Sequence, residues 1–514
     1  MGDSALKANT TGSNTAVGYE ALKDNTTGTN NAAIGNNALA NNTTGDSNTA
    51  VGGINPLVSN TTGDKNTAVG QSALEANTTA SYNVGVGYQA LYANTTGAEN
   101  TALGTYALKT NTTGAYNTAV GYALRLNTTG SNNVAVGYKA LDANTTANYN
   151  IAIGQEALEK NTTGYENTAV GFRALEENTT ANSNTAFGYN ALTDNTEGHS
   201  NTAVGDYALA NNTTGDYSCA FGLYALYDAT TANRNDAFGS YALANLTTGT
   251  NNVSIGGWSL ATLTTANYNT AVGYSALTMN SSGTKNTGIG YLALEDNTTG
   301  NYNTALGSDA LKNNTTASNN TAVGYDSLVA NTTGADNTAH GKGALGANTT
   351  GHSNTAVGYE SLKTITTATL NTAVGWRALA TSTADANTAV GYMSLFGNTS
   401  GGYNTAVGHL SCYENTTGAY NTGIGYDALR KNTTGEKNVA VGTYALDANT
   451  TADKNTALGY GTLSANTTGS HNTAVGFAAA NVITTGHSNT NVGSESGEAI
   501  TTAEYNTSLG AYAL

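Results

Sequence analysis

Residues 14–30 read NTAVGYEALKDNTTGTN, and residues 31–47 read NAAIGNNALANNTTGDS. The same sentence, written NTAVGYxALxxNTTGxx and numbered here as positions 1 to 17, starts 30 times between residues 14 and 506. The 29 intervals cover 492 residues, close to 29 × 17 = 493, with one insertion in residues 48–65 and single deletions in the units that start at 117 and 371. A strict period of this length is too short for two-helix repeats, which run above about thirty residues. It fits one turn of a β-solenoid, in which each coil stacks on the last at the strand spacing of about 4.8 Å. The sequence therefore predicts an all-β fold, a parallel β-solenoid or β-roll of about thirty coils. No linker or shift of composition interrupts the series, so residues 1–514 are read as one continuous domain. At that spacing thirty coils would extend roughly 145 Å.

Composition agrees with a repeat and excludes several functions. Only 10% of the 514 residues are charged, against about 25% in an ordinary soluble domain. The chain has 62 Gly but a single proline, Pro56, so it lacks the charge or proline of a disordered linker. The formal charge of −16, from 18 basic and 34 acidic residues, is spread thinly and opposes binding to nucleic acid or to an anionic membrane. No run of 18 apolar residues exists to cross a bilayer. The opening MGDSALKANTTG has neither the basic nor the apolar region of a signal peptide.

With many copies in one chain, the repeat supplies its own comparison. Gly holds position 5 in every unit, as at Gly18 and Gly35, the residue a corner needs where φ is positive or a Cβ has no room. Position 4 is Val, Ile, Leu or Phe, as at Val17, with His340 the exception. Position 9 is Leu, as at Leu22 and Leu39, except at Cys412, Ala480 and Gly497. Position 2 is usually Thr but accepts Val84 and Ile151. Rows 2, 4 and 9 are therefore expected to face inward. Position 12, Asn25 in the first full unit, exchanges with Leu246, Leu263, Ile365, Ile483 and Ile500. This marks a buried row whose amides can pair along the stack. Strand alternation then sends positions 3 and 8 outward. Both stay small, as at Ala16, Ala21, Ala33 and Ala38, and an outward row that stays small suggests close packing against another chain.

Chemistry-bearing residues are sparse. NTT at positions 12–14 is formally a glycosylation sequon, but Leu and Ile in the same place argue that this Asn faces inward. The paired threonines are adjacent, so alternation would split them between two sides; an ice-binding face, with hydroxyls in two ranks, is a distant third reading. Of the six histidines, His199, His340, His352, His409, His471 and His487, only His409 lies near a second ligand type, Cys412. No further pair completes a metal site. Cys219 and Cys412 lie eleven coils apart, far beyond disulfide reach, and are read as small apolar residues. Acids occupy mainly variable positions. No triad, metal cluster or phosphate loop supports an enzyme, and no cofactor is expected. The 31 tyrosines gather at positions 6, 7 and 17, where they are expected to stack between coils.

The pattern NTAVG…ALxxNTTG resembles the left-handed parallel β-roll repeats of trimeric autotransporter adhesin heads and related repeats of phage tail fibres and bacterial surface fibres. The resemblance covers the whole chain as a repeat type, although the adhesin-head unit is nearer fourteen residues and neither a coiled-coil stalk nor a membrane-anchor barrel is visible. It implies a left-handed coil, homo-oligomers that are often trimeric, and extracellular or surface display. Neither end carries an element recognisable as a cap, so head-to-tail stacking of open coils is also expected. The expected function is a structural fibre or filament protein with itself as partner. The alternative is an adhesin or tail-fibre module gripping a glycan or cell surface, with its site in an atypical coil.

Overall fold

In the computed structural model, which describes residues 2–513, the chain is an all-β parallel β-solenoid of about 29 turns at 17-residue spacing, with no helix among the described residues. Two compact units are present, Met1–Gly257 and Trp258–Leu514. The first contains strands β1 (Thr15–Val17) to β15 (Val253–Ile255), the second β16 (Thr270–Val272) to β30 (Thr507–Leu509).

In each unit the strands cover positions 2 to 4, with β2 (Ala32–Asn36) and β3 (Thr49–Ile54) running further, and they pair in parallel with no stagger at these positions: Thr15 lies beside Ala32, Ala16 beside Ala33 and Val17 beside Ile34. The second unit repeats this, with Thr304, Ala305 and Leu306 beside Thr321, Ala322 and Val323. The ladder continues beyond the strands. The amide of Leu22 donates to the carbonyl of Ala38 at 3.0 Å and that of Thr26 to Thr43 at 2.9 Å. In the second unit Leu311 donates to Ser327 at 3.0 Å and Thr315 to Thr332 at 3.0 Å. Backbone groups on several sides of the coil are thus satisfied by the next coil, which is why a three-residue strand suffices. The extra residue of the 48–65 unit is absorbed as a register shift between Ile34 and Asn36, opposite Val51 and Ile54.

The inward and outward rows differ from the expectation drawn from residue size. Ala16 is 5% exposed and Ala21, Ala33 and Ala38 are fully buried, whereas Val17 is 50% exposed. The four alanines assigned to inter-chain packing therefore line the interior of their own coil, and Val17, assigned to the core, faces out. Alternation relates position 3 to positions 2 and 4 as expected; only the side was inverted. Position 3 stays small because the interior is narrow. A Cβ built on Gly85, which occupies position 3, would lie 3.2 Å from the carbonyl oxygen of Ala90 and 3.3 Å from Cγ of Leu74.

Positions 8 and 9 are adjacent, yet both face inward. The chain is not extended there. Glu20 and Leu22 have φ of 53° and 49°, and Asn30 at position 17 has 58°, so the left-handed region recurs at positions 7, 9 and 17. Two left-handed residues flanking Ala21 break strand alternation and turn Ala21 and Leu22 to the same side. Gly18 and Gly35 form another corner, with φ of 134° and 137°. A Cβ on Gly18 would lie 2.2 Å from the carbonyl oxygen of Gly35, so the stacked corners themselves exclude any side chain.

Candidate functional site

Leu22 and Leu39 are fully buried, and the interior beside them is partly polar. Asn42 donates from Nδ2 to Oδ1 of Asn25 in the preceding coil at 2.8 Å and to the carbonyl of Gly45 in its own coil at 2.9 Å. Asn25, Asn42 and Asn60 are fully buried, so these amides are committed inside and offer no glycan acceptor. A second asparagine row, missed in the reading of the repeat, runs along position 1. The backbone N–H of Asn31 donates to Oδ1 of Asn14 at 2.9 Å, and its Nδ2 donates to the carbonyl of Gly45 at 2.8 Å. One carbonyl at position 15 therefore accepts from both rows. Ser218 stands in the position-1 row, its N–H donating to Asn201 Oδ1 at 2.9 Å and its Oγ accepting from the N–H of Asn235 at 3.3 Å. The signal for this row was available in the constancy of the first letter of NTAVG.

Thr26 donates its hydroxyl to the carbonyl of Thr43 at 2.9 Å, and Thr315 does the same to Thr332 at 3.1 Å. The first threonine of NTT thus ties coils together.

Outside, three surfaces stand out. The first is the strand face, where position 4 presents large apolar side chains to solvent: Ile34, Leu103 and Phe187 in the first unit and Leu306 and Leu458 in the second are 43–56% exposed. The second is aromatic. In the second unit Tyr359, Trp376, Tyr392, His409 and Tyr426 stack nearly parallel, with centroids 5.0–6.0 Å apart and planes within 10°. Edge contacts carry the row through Tyr444 to Tyr460, and Phe477 stacks on Tyr460 at 5.4 Å. Such pairs contribute about 0.5–1.5 kcal/mol each beyond burial. From Tyr359 to Tyr426 the ring faces are used on one another, so this part of the row shows solvent mainly its edges.

The third surface is charged. Glu156, Glu159 and Glu176 bring carboxylate oxygens within 4.8 Å of one another. Burial pushes the Glu176 carboxyl above its ordinary range. Cations answer the cluster directly: Lys139 lies 2.7 Å from Glu159, and Arg173 lies 2.8 Å from Glu156 and 3.4 Å from Glu176. These are surface ion pairs of modest energy.

His409 and Cys412 do not converge on a metal. His409 is held between Tyr392 and Tyr426. Cys412 is fully buried, and its thiol is pushed up to about 12 by that burial. Cys219 is half-buried, and both cysteines are free. No family model matches the chain, and no curated protein matches it.

Proposed function

We propose that the chain is a structural protein that associates with copies of itself through its strand face, as an element of an extracellular fibre. The observation that carries this reading is the outward row at position 4. In a chain that varies freely at positions 7, 10, 11, 16 and 17, an apolar residue recurs at position 4 in every coil but that of His340, and Ile34, Leu103 and Phe187 are all at least 43% exposed there. Solvent alone does not select such a row; a partner surface does. A standard interface covers roughly 800 Å² per partner, and the fifteen position-4 side chains of each unit, His340 apart, form an apolar row toward such an area. The in-register strands place position 4 of successive coils side by side within each unit, and the absence of Asp, Glu, Lys and Arg from the row lets two copies approach. The exposed threonines of position 2 supply polar contacts alongside.

The test is the oligomeric state of the full chain. Sedimentation velocity over a dilution series, with negative-stain electron microscopy of the same samples, should show oligomers at micromolar concentration. The triple variant Ile153→Lys, Phe187→Lys and Phe221→Lys, which places charges on this face, should be monomeric. A wild-type chain that stays monomeric throughout would end the proposal, and so would a triple variant that assembles as well as wild type.

A further inference from the structure

We propose that the coil of residues 337–353 carries a binding notch for one neutral hexopyranose unit of a glycan, a site independent of the self-association face. This coil departs from the repeat more than its neighbours do: His340 stands at position 4, Lys342 at position 6, Gly343 at position 7 and Gly346 at position 10. The two glycines leave a cavity of about 300 Å³ in the surface, at the lower end of the range for small-molecule sites (about 300–1,000 Å³) and suited to a single ring. Its rims are the same positions of the flanking coils, Asp326 and Val329 on one side, Glu360 and Lys363 on the other, with Lys342 and Ala347 beside the floor.

The backbone does not explain the missing side chain at Gly343; at Gly346 a Cβ would lie 3.2 Å from the carbonyl oxygen of Gly343, although Val329 and Lys363 stand at the same position of the flanking coils. Gly343 has φ of 64°, but Asp326 and Glu360 hold the same place in the adjacent coils at 55° and 52°, and Arg173 and Tyr207 hold it elsewhere at 55°. A Cβ on Gly343 would meet nothing nearer than Cγ of Glu360 at 3.8 Å. Gly461 also occupies position 7, but Ser464 follows at position 10, so the double gap is particular to coil 337–353. An empty place that the fold does not require is a place for something else.

The lining is balanced in charge. Two carboxylates, of Asp326 and Glu360, and two ammonium groups, of Lys342 and Lys363, surround the notch, so it carries no net charge to favour an anion or a cation over a neutral ligand. Glu360 is already held by Lys363 at 2.6 Å and Arg377 at 3.1 Å, and Lys342 lies over the Tyr325 ring at 5.6 Å, so these groups are positioned by neighbours. A neutral polyol finds acceptors and donors around one rim, while Val329, Ala347 and the glycine floor can receive the C–H face of a sugar ring.

The experiment is saturation-transfer NMR of the full chain with methyl glycosides of glucose, galactose and mannose, beside a methyl sialoside and glucosamine as charged probes. At least one neutral glycoside should bind with a dissociation constant on the order of 1 mM. Gly343→Tyr, which restores a residue type found at this position in other coils, should weaken binding at least about tenfold, and the matched substitution Gly461→Tyr should not. Lys342→Ala, which leaves the floor open and removes one donor group, should weaken it as well and serves if Gly343→Tyr fails to fold. No binding of any neutral glycoside, preferential binding of a charged probe, or binding unchanged when the notch is altered would each overturn the assignment.

Discussion

From Asn280 to Asn348 the position-12 amides of the second unit run unbroken, Asn297 and each one after it donating to the Oδ1 before it at 2.8–3.1 Å. One coil later the row stops at Ile365, passes Ser382, and resumes when Asn398 donates to Ser382 Oγ at 3.1 Å. The two stretches share a backbone: Thr349 donates to Thr366 at 2.8 Å across the gap, as Thr315 does to Thr332 within the intact run. What differs is one polar atom. Oδ1 of Asn348 is buried without a hydrogen-bond partner, and so is Oδ1 of Asn466, which precedes the similar replacement Ile483. The stack is therefore defined by the backbone ladder and corners, and the amide row adds to it. A coil can exchange the row's chemistry for apolar volume, leaving one acceptor unsatisfied at about 1–3 kcal/mol.

If the corners define the stack, a corner substitution should exceed anything done to the row. Gly341→Ala places a Cβ 2.5 Å from the carbonyl oxygen of Gly358 at a φ of 136°, and the neighbour in conflict is backbone. The expected loss is more than about 4 kcal/mol. A stack of nearest-neighbour coils does not unfold in two states, so the loss should be read locally. Hydrogen exchange by mass spectrometry should show amides of residues 324–375 exchanging at least a hundredfold faster, with distant coils unchanged. Unchanged protection would mean that the corners yield and that the ranking of corner over row is wrong.

Next in size is removal of an amide inside the intact run. Asn314 donates to Asn297 Oδ1 at 2.9 Å and to the Ala317 carbonyl at 3.0 Å, and accepts from Asn331 Nδ2 at 2.8 Å. Asn314→Ala strands buried groups on both sides and opens a void, for an expected cost of about 2–4 kcal/mol. Asn314→Leu, the solution the chain uses at Leu246 and Leu263, strands the same groups but fills the space. It should cost about 1–2 kcal/mol less, seen as intermediate exchange rates in residues 297–331. Equal effects for Ala and Leu would mean that volume does not matter at this position.

The same contrast shows what the letters of the repeat could reveal. The period, the glycine corner, Leu22 and the Asn25 row were legible, because each is a residue type with a narrow physical role recurring at one position. Orientation was not. Alternation says that Ala16 opposes Val17 but not which of them is inside, and a small residue reads equally as tight interior or tight interface. The interior answer became visible only when Leu74 was seen to close on position 3. The left-handed φ of Leu22 was hidden for another reason: a leucine there carries no mark of the conformation, whereas glycine does. The notch shows the converse. Gly343 and Gly346 looked like two unremarkable letters in one coil, and they acquire meaning only because the neighbouring side chains they fail to match stand on either side of them.

The smallest effect, and the sharpest, should come from repairing the gap. Ile365→Asn removes a fully buried side chain, at a cost of about 2 kcal/mol in lost apolar burial. In return it brings a donor to the unpaired Oδ1 of Asn348, relieving about 1–3 kcal/mol. Its second N–H reaches toward the carbonyl of Ala368, which already accepts from Asn354 Nδ2 at 2.9 Å, as the position-15 carbonyl does for both rows elsewhere. The new Oδ1 faces Ser382, whose hydroxyl can rotate to donate. The terms oppose and nearly cancel, so exchange protection over residues 348–382 should change by less than about tenfold in either direction, equivalent to roughly 1.4 kcal/mol. A large gain would show that the unsatisfied acceptor is a real weakness of the natural chain and that the amide row contributes more than the volume it displaces. A loss greater than about 3 kcal/mol would show that the coils around Ile365 have repacked to an apolar centre, and that Asn and Ile are interchangeable only in the letters of the repeat.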